Sequence, residues 1–451
     1  MVDGLGMVDG GRLTLRNEPG AMTHHTLSDD CPPRHRSESS TPACYRKQLS
    51  LFPSSCFLYF LWLDLHLPVR LCSTMKKKTG QVQVPKKSKK NPVDAGDVYL
   101  SALMGGVGIG IALDKGFMSL STTDSMFKKS LTMNTTSLLK LYVIAIGCSL
   151  LFTAGIAYFS YTRPFFVESK KRLRDPGLLT SVAGAIVTGV GMALAQGDLM
   201  LAAIYAGAGA SSAWFVLAGA FFATIFFSVF GWKLLDSNRL HETLEKPFKQ
   251  PFHIVASLIG CSLLAFGLIA EFISPYQSEF EMISNFPRLD SVFWLLYERS
   301  WSPIICGLLV GVMQAEHVTV AAEGLCVKNM FQALVSQISR TGMFEADDFP
   351  RLHAAKELNY RTLWPVVFGL SLFGGGMLST RFSEVGVGGN AAASAGPAQA
   401  ALGGFLLMAG AHMTQLSLCG HMLTGVSHLC GKSIMVTVVA WSTATALSVG
   451  W

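Results

Sequence analysis

Long apolar stretches that recur along most of the chain restrict its fold more than any other feature. A helix needs about 20 mostly apolar residues to cross the roughly 30 Å hydrocarbon core of a bilayer. From residue 98 onward, stretches near this length alternate with polar connections. A further apolar run, at 317–338, is interrupted by Glu323 and Lys328, so the pattern does not decide whether this run spans the membrane. The candidate spans are 98–113, 137–160, 178–196, 212–235, 252–274, 302–315, 362–379, 397–415 and 432–450.

The charge content excludes an ordinary soluble fold. Only 14% of the residues are charged, whereas a soluble domain carries roughly 25%. In lipid every backbone polar group must be satisfied within the protein, so spans are helices or strands of a closed barrel. Because the apolar stretches have the length of helices, we predict an all-α polytopic membrane protein. It should contain about 8–10 transmembrane helices and short intramembrane helices.

The first 97 residues differ from the rest of the chain. They are polar and basic, and their one apolar run, at 57–63, is too short to span a bilayer. We expect residues 1–97 to be disordered and to carry no chemistry. A run of lysines follows Met75, which suggests that Met75 is the functional start. The alternative is that residues 1–74 form a native disordered tail.

Basic residues also indicate an orientation. They are concentrated before residue 98, at 163–174 and at 233–249, and they are sparse at 275–301. Lys and Arg accumulate in cytoplasmic loops, so we expect a cytoplasmic N-terminus. The chain must then enter and leave on one side between 178 and 235, which predicts a short internal helix near 199–210.

Two stretches of the chain resemble each other, which indicates an internal repeat. Two glycine-rich apolar helices each run into a polar break, a short amphipathic run and another apolar helix. We interpret the chain as two related membrane halves, 98–274 and 302–451, joined by a loop at 275–301. The alternative is chance, since apolar helices reuse few residue types. At a constant offset, Gly184 pairs with Gly403, Gly191 with Gly410, Gln196 with Gln415, and Asp198 with Ser417.

Interrupted helices at matching positions of two halves point to a transporter binding site. A helix that begins inside the membrane leaves unpaired backbone N–H groups and the positive end of its dipole. An anion is a suitable partner for those groups. We therefore expect the breaks at 196–198 and 415–421 to meet head-on near the membrane midplane, beside a passage between the halves.

The same stretches resemble the YeeE/YedE sulfur-transport family, over most of residues 98–450. In that family the characterised activity is uptake of thiosulfate. The resemblance implies a transporter of a small sulfur-containing anion in the plasma membrane, with a pore between two repeats. The motifs are GVGIGIAL at 106–113, GVGMALA at 189–195, GAGASSAW at 207–214, GGFLL at 403–407 and CGHMLTG at 419–425.

The chain departs from the family pattern at the breaks. The family has a cysteine in each break, and those thiols are thought to hand thiosulfate along. The flanking glycines place Asp198 and Ser417 at these positions, with Cys419 two residues further on. An ionised Asp198 would repel a dianion, whereas a protonated one would not. Asp198 could also serve a cation or a proton-coupled substrate. The departure therefore also leaves open a homologue that no longer transports and acts as a partner subunit or scaffold.

Candidate substrate-binding or pore residues lie in and beside the breaks. Asp198 is an ionisable group between apolar stretches, which is expensive in a membrane and marks function; it can also cap the following helix. The two glutamines could bind substrate or hydrogen-bond neighbouring helices. The candidates are Asp198, Gln196, Gln415, Ser417, Cys419 and His421.

The last three candidates also have a second interpretation. Ser417 is expected mainly to cap its helix. Cys419 is either a displaced transport thiol or a buried structural one. His421 could bind substrate or carry protons, or it could be a satisfied interface residue, as we expect for His412 and His428.

No arrangement of nucleophile and base, phosphate loop or metal cluster stands out, so we predict neither enzyme activity nor a cofactor or metal. The expected partners are a small inorganic anion and the lipid bilayer, without nucleic acid. The oligomeric state is not determined by these patterns. Charged residues at span ends are expected to be solvated. They are Asp114, Lys115, Glu271, Glu316 and His317.

Overall fold

The computed structural model describes residues 95–117, 136–159, 163–172, 174–175, 177–231, 239–240, 250–276, 300–322, 324–338, 360–382 and 396–450. Of the predicted disordered region, residues 1–97, only 95–97 are described, and they are helical. The rest of that region, the Met75 start and most of the 275–301 loop lie outside these ranges. The described helices are α1 (Ala95–Phe117), α2 (Ser137–Tyr158), α3 (Arg163–Arg172), α4 (Leu178–Ala195), α5 (Leu199–Gly207), α6 (Ser211–Val229), α7 (Phe252–Ile273), α8 (Pro303–Val320), α9 (Val327–Ile338), α10 (Tyr360–Phe382), α11 (Pro397–Thr414) and α12 (Gly431–Gly450). Two short strands, β1 (Arg174–Asp175) and β2 (Arg239–Leu240), pair antiparallel.

The predicted all-α membrane fold is confirmed. Among the described residues, seven helical stretches are long and apolar enough to cross a membrane, with α4 and α5 together forming one stretch of 30 residues. Beyond these seven stretches, helices α11 and α12 are 18 and 20 residues long. The ambiguous run at 317–338 divides between two helices, because α8 continues to Val320 and α9 begins at Val327.

Helices α4 and α11 lie side by side and antiparallel, so the predicted head-on meeting of the interrupted helices is wrong. A Cβ atom placed on Gly184 would lie 2.7 Å from Cγ2 of Thr414, near the end of α11. A Cβ on Gly191 would lie 2.6 Å from the backbone nitrogen of Leu407, in the middle of α11. Glycines allow this close contact, which is how helices pack when lipid removes the hydrophobic drive between them.

Packing partners are exchanged between the first and second parts of the chain. Helix α1 packs against α10, and α8 packs against α2. In the same way α6 packs against α11, and α12 packs against α4. Helix α7 packs against α2. Helices from the first and second parts of the described chain therefore pack among one another, and the core between them contains side chains from both.

Several charged groups at span ends are buried, so their predicted solvation is wrong. Asp114, Lys115 and His317 are each at most 3% exposed. Burial follows from the antiparallel contact of α1 with α8, in which the Trp301 N–H donates to the Lys115 carbonyl over 3.2 Å. At the other end of this pair, the His317 ring lies edge-on to Phe368, with centroids 5.1 Å apart.

An ion pair between Lys140 and Glu271 joins α2 to α7. The Lys140 ammonium lies 3.1 Å from a carboxylate oxygen of Glu271, and the two side chains are 2% and 13% exposed. Lys140 also donates to the carbonyl of Ser274, and the Tyr276 N–H donates to Glu271 over 2.9 Å. Lys140 and Glu271 therefore anchor the end of α7 to the start of α2.

Candidate functional site

The first interruption lies between α4 and α5. Gln196 ends α4 in the left-handed conformation (φ 54°, ψ 39°), which non-glycine residues seldom adopt. Asp198 then caps α5, because its Oδ1 accepts a hydrogen bond of 2.8 Å from the Leu201 N–H. Asp198 is only 3% exposed, and its Oδ2 atom has no hydrogen-bond partner among the described residues. The break therefore places one unpaired carboxyl oxygen inside the protein.

The second interruption follows α11. Its first residue has the same conformation as that of the first interruption, but the helix that follows is different. Gln415 also adopts a left-handed conformation (φ 70°, ψ −10°). Helical structure resumes after Ser417 and widens into a π-helical turn at Gly420–Gly425. The His421 N–H donates to the Ser417 carbonyl over 2.9 Å. π-Helical turns are rare and occur frequently at functional sites.

A buried cluster of two thiols and a hydroxyl lies at this second break. The Ser417 Oγ lies 3.2 Å from the Cys419 Sγ and donates to the Cys326 Sγ over 3.5 Å. Ser417, Cys419 and Cys326 are each at most 2% exposed. The hydroxyl thus contacts sulfur atoms in place of the backbone N–H that a helix cap would bind, so the predicted capping by Ser417 is wrong. We call these three residues the thiol cluster.

A buried glutamine holds the loop that carries Cys326. Gln314, on α8, donates from Nε2 to the Thr424 hydroxyl over 2.9 Å. Its Oε1 accepts from the Leu325 N–H over 3.4 Å. Gly420 lies close to the same loop, since an added Cβ would meet the Leu325 carbonyl at 3.1 Å. Gln314 therefore links α8, the loop before α9 and the π-helical turn.

Asp198 and the thiol cluster lie in one buried region. The Asp198 carboxyl is close enough to interact electrostatically with the Cys419 thiol and with the phenols of Tyr142 and Tyr205. Tyr142 comes from α2 and packs edge-on against Trp441, with ring centroids 5.9 Å apart. Residues from α2, α5 and both interruptions therefore converge, although the interrupted helices themselves lie side by side.

The other sequence candidates are placed differently. The His421 Nδ1 lies 3.0 Å from the Ser433 hydroxyl, which joins it to α12. Gln196 and Gln415 are half-buried at the helix ends. The rings of His412 and His428 stack on Phe227 and Phe166, respectively. The structure therefore brings Asp198, Ser417 and Cys419 into one region.

Three members of the region were not predicted from the sequence: Cys326, Tyr142 and Tyr205. Cys326 follows the interruption inside the ambiguous run at 317–338, and a cysteine beside a break is the same signal that selected Cys419. Tyr142 lies within an apolar helix, where a buried phenol usually needs a polar partner. These signals were present, although neither indicates which distant residue each side chain meets.

The fold and the buried polar region define an integral, multi-pass helical membrane protein with polar groups gathered at helix interruptions. A family model described as sulphur transport matches residues 119–446. This match covers most of the chain, which therefore belongs to the sulphur transport (YeeE/YedE) family, as its motifs indicated. A comparison with curated proteins finds no significant match. Family membership supports a general role in sulfur transport.

Proposed function

We propose that this protein transports a small, thiosulfate-like sulfur-containing anion through a pore between two pseudo-symmetric halves. The observation that carries the proposal is the buried convergence of Asp198 with the thiol cluster at the two helix interruptions. Buried polar groups within a membrane protein are costly and are typically retained for function. The transported ligand would occupy the space bounded by these groups.

The thiol cluster suits an anion that contains sulfur. A thiol is a weak hydrogen-bond donor and a soft, polarizable group. Cys326 and Cys419 both contact the Ser417 hydroxyl, at 3.5 and 3.2 Å, so a ligand that displaced this hydroxyl would meet two S–H donors. Weak donors favour transport, because a pore must bind its substrate loosely enough to release it.

The helix termini at the breaks favour a negative ligand. Helix α5 begins at Leu199 and has nine residues, and a second helical segment begins after Ser417. Helix N-termini carry a partial positive charge and unpaired N–H groups. Asp198 occupies one of these N–H groups, that of Leu201. The anion is therefore expected nearer the thiol cluster, with Asp198 at its margin.

The exchanged packing supports a duplicated architecture with the pore between the halves. The contacts of α1 with α10 and of α8 with α2 are related by exchange of the halves 98–274 and 302–451, as are those of α6 with α11 and of α12 with α4. Both breaks also begin with a left-handed glutamine. Inverted repeats commonly place substrate at the repeat interface.

We also propose an orientation in the membrane, a location and a class of protein. The basic composition before residue 98 supports a cytoplasmic N-terminus, and we propose the plasma membrane as the location. The partners would be the inorganic anion and lipid. We propose a transporter rather than an enzyme.

Uptake of radiolabelled thiosulfate by proteoliposomes containing the full chain tests this function. Cys419→Ala and Cys326→Ala should each reduce the initial uptake rate by up to about tenfold, since a lost hydrogen bond of roughly 0.5–1.4 kcal/mol slows a rate by about 2- to 10-fold. Cys261→Ala is the matched control, because Cys261 is an exposed thiol on α7 and its loss should leave uptake unchanged.

Two results would contradict the proposal in different ways. Uptake that persists unchanged in both Cys419→Ala and Cys326→Ala would remove the thiol cluster from the pathway. If the wild-type protein takes up neither thiosulfate nor sulfite nor sulfate, the alternative of a non-transporting partner subunit or scaffold is favoured.

A further inference from the structure

We propose that Asp198 binds a proton together with the anion, so that the protein is a proton–anion symporter. This inference rests on the proposed transport function and adds its coupling ion. The two oxygens of the Asp198 carboxyl group have different surroundings.

The Oδ1 oxygen of Asp198 is committed to the fold. It accepts the Leu201 N–H at 2.8 Å and so caps α5. Within the described ranges the Oδ2 oxygen has no hydrogen-bond partner, although the residue is only 3% exposed. In a protonated carboxyl group one oxygen accepts hydrogen bonds and the other donates. The observed geometry fits a carbonyl-like Oδ1 and a hydroxyl at Oδ2 that can donate to an anion.

Among the described residues no cationic side chain balances an ionised Asp198, which has only the partial positive charge of the α5 N-terminus beside it. The titratable groups that face it are the phenols of Tyr142 and Tyr205 and the thiol of Cys419. Tyr205 in turn faces the carboxyl of Asp114 on α1. In the described part of the chain no Lys, Arg or His forms an ion pair with Asp198. An isolated buried carboxylate is strongly unfavourable, so it takes up a proton or a cation.

A proton fits this site better than a metal cation. Hard cations need several oxygen ligands, usually carboxylates and carbonyls. The groups that face Asp198 are phenols and a thiol, and the nearby Ser417 hydroxyl contacts two sulfur atoms. Protonation needs only the one unpaired Oδ2 oxygen.

The coupling follows from the order of binding. With Asp198 ionised, an incoming dianion meets a fixed negative charge within electrostatic range of the thiol cluster. After one proton binds at Oδ2, the repulsion is removed and the hydroxyl donates to the anion. The anion and the proton leave on the other side together, and the carboxylate returns to its charged form. One proton per thiosulfate lowers the transported charge from two negative charges to one.

The experiment uses wild-type protein in liposomes that contain a pH-sensitive dye, with radiolabelled thiosulfate added outside. Uptake should acidify the interior with a stoichiometry near one proton per anion. At external pH above the titration of the carboxyl group, the uptake rate should fall by about tenfold per pH unit, because the protonated fraction falls by that factor.

Asp198→Asn separates this inference from a purely structural role. The amide oxygen preserves the acceptor for the Leu201 N–H, and the NH₂ group imitates the donating hydroxyl permanently. The variant should show altered transport, with uptake that no longer depends on pH and no accompanying acidification. Asp198→Ala removes both functions and should lower uptake by more than tenfold. Asp97→Asn, at an exposed position on the first turn of α1, is the matched control.

Each outcome decides the inference. Wild-type uptake without acidification overturns it and leaves the proposed transport intact, and so does continued proton movement in Asp198→Asn. If the wild-type protein transports no sulfur oxyanion at all, both the inference and the proposed function fail.

Discussion

Replacing Gly191 by alanine should separate α4 from α11 and destabilise the protein. The added Cβ would lie 2.6 Å from the Leu407 nitrogen and 3.0 Å from the Gly403 carbonyl oxygen. Both are backbone atoms of α11, which cannot rotate away as a flexible side chain can. An ordinary contact needs about 3.5 Å, so the helices must move apart by about 1 Å. Overpacking of this kind costs about 1–3 kcal/mol.

The assay is reversible unfolding of the purified protein in mixed micelles, followed by circular dichroism. A loss of about 1–3 kcal/mol raises the unfolded-to-folded ratio by roughly 5- to 150-fold. Gly374→Ala, on α10, is the matched control, because no described atom beyond its own helix lies within 4 Å of the added Cβ. That change should stabilise helix α10 by up to about 1 kcal/mol. A Gly191→Ala protein as stable as Gly374→Ala would refute the close-packing argument.

Two further substitutions test the buried polar contacts. Lys140→Met leaves the Glu271 carboxylate without its cation, so it should lower the free energy of unfolding by about 3–5 kcal/mol in the same assay. Replacing both Lys140 and Glu271 by Met should restore much of this loss. Equal losses in the single and double variants would contradict this expectation. Gln314→Leu leaves the Leu325 N–H unpaired at a cost of about 1–3 kcal/mol, and it should speed maleimide labelling of Cys326. Labelling at the wild-type rate would show that Gln314 does not hold this loop.

The helices could be predicted from the sequence because their ends are local events. The sequence predicts that helix α4 ends at residue 196. The helix ends at Ala195, and the next residue, Gln196, stops it by adopting the left-handed conformation. Asp198 was recognised as a possible cap by its place before an apolar run, and it makes that hydrogen bond. Each of these predictions depends on a few consecutive residues and the physical rules that govern them.

The contacts of the site were harder to predict because they join distant parts of the chain. Ser417 precedes a helix as Asp198 does, yet its hydroxyl contacts sulfur atoms. One of these atoms belongs to Cys326, 91 residues away, and no local pattern indicates that approach. The antiparallel contact of α4 with α11 was missed for the same reason, since a glycine-rich face shows that a helix packs closely without showing against what.

The exchanged packing of the helices has a consequence for biogenesis. During synthesis, the glycine face of α4 emerges long before α11, the helix that covers it. The first half must therefore remain in the bilayer or the translocon with an open cleft at the glycine face of α4 until the later helices fill it. Truncation before residue 302 should yield an inserted but unassembled fragment, and co-expression of the missing piece should rescue it.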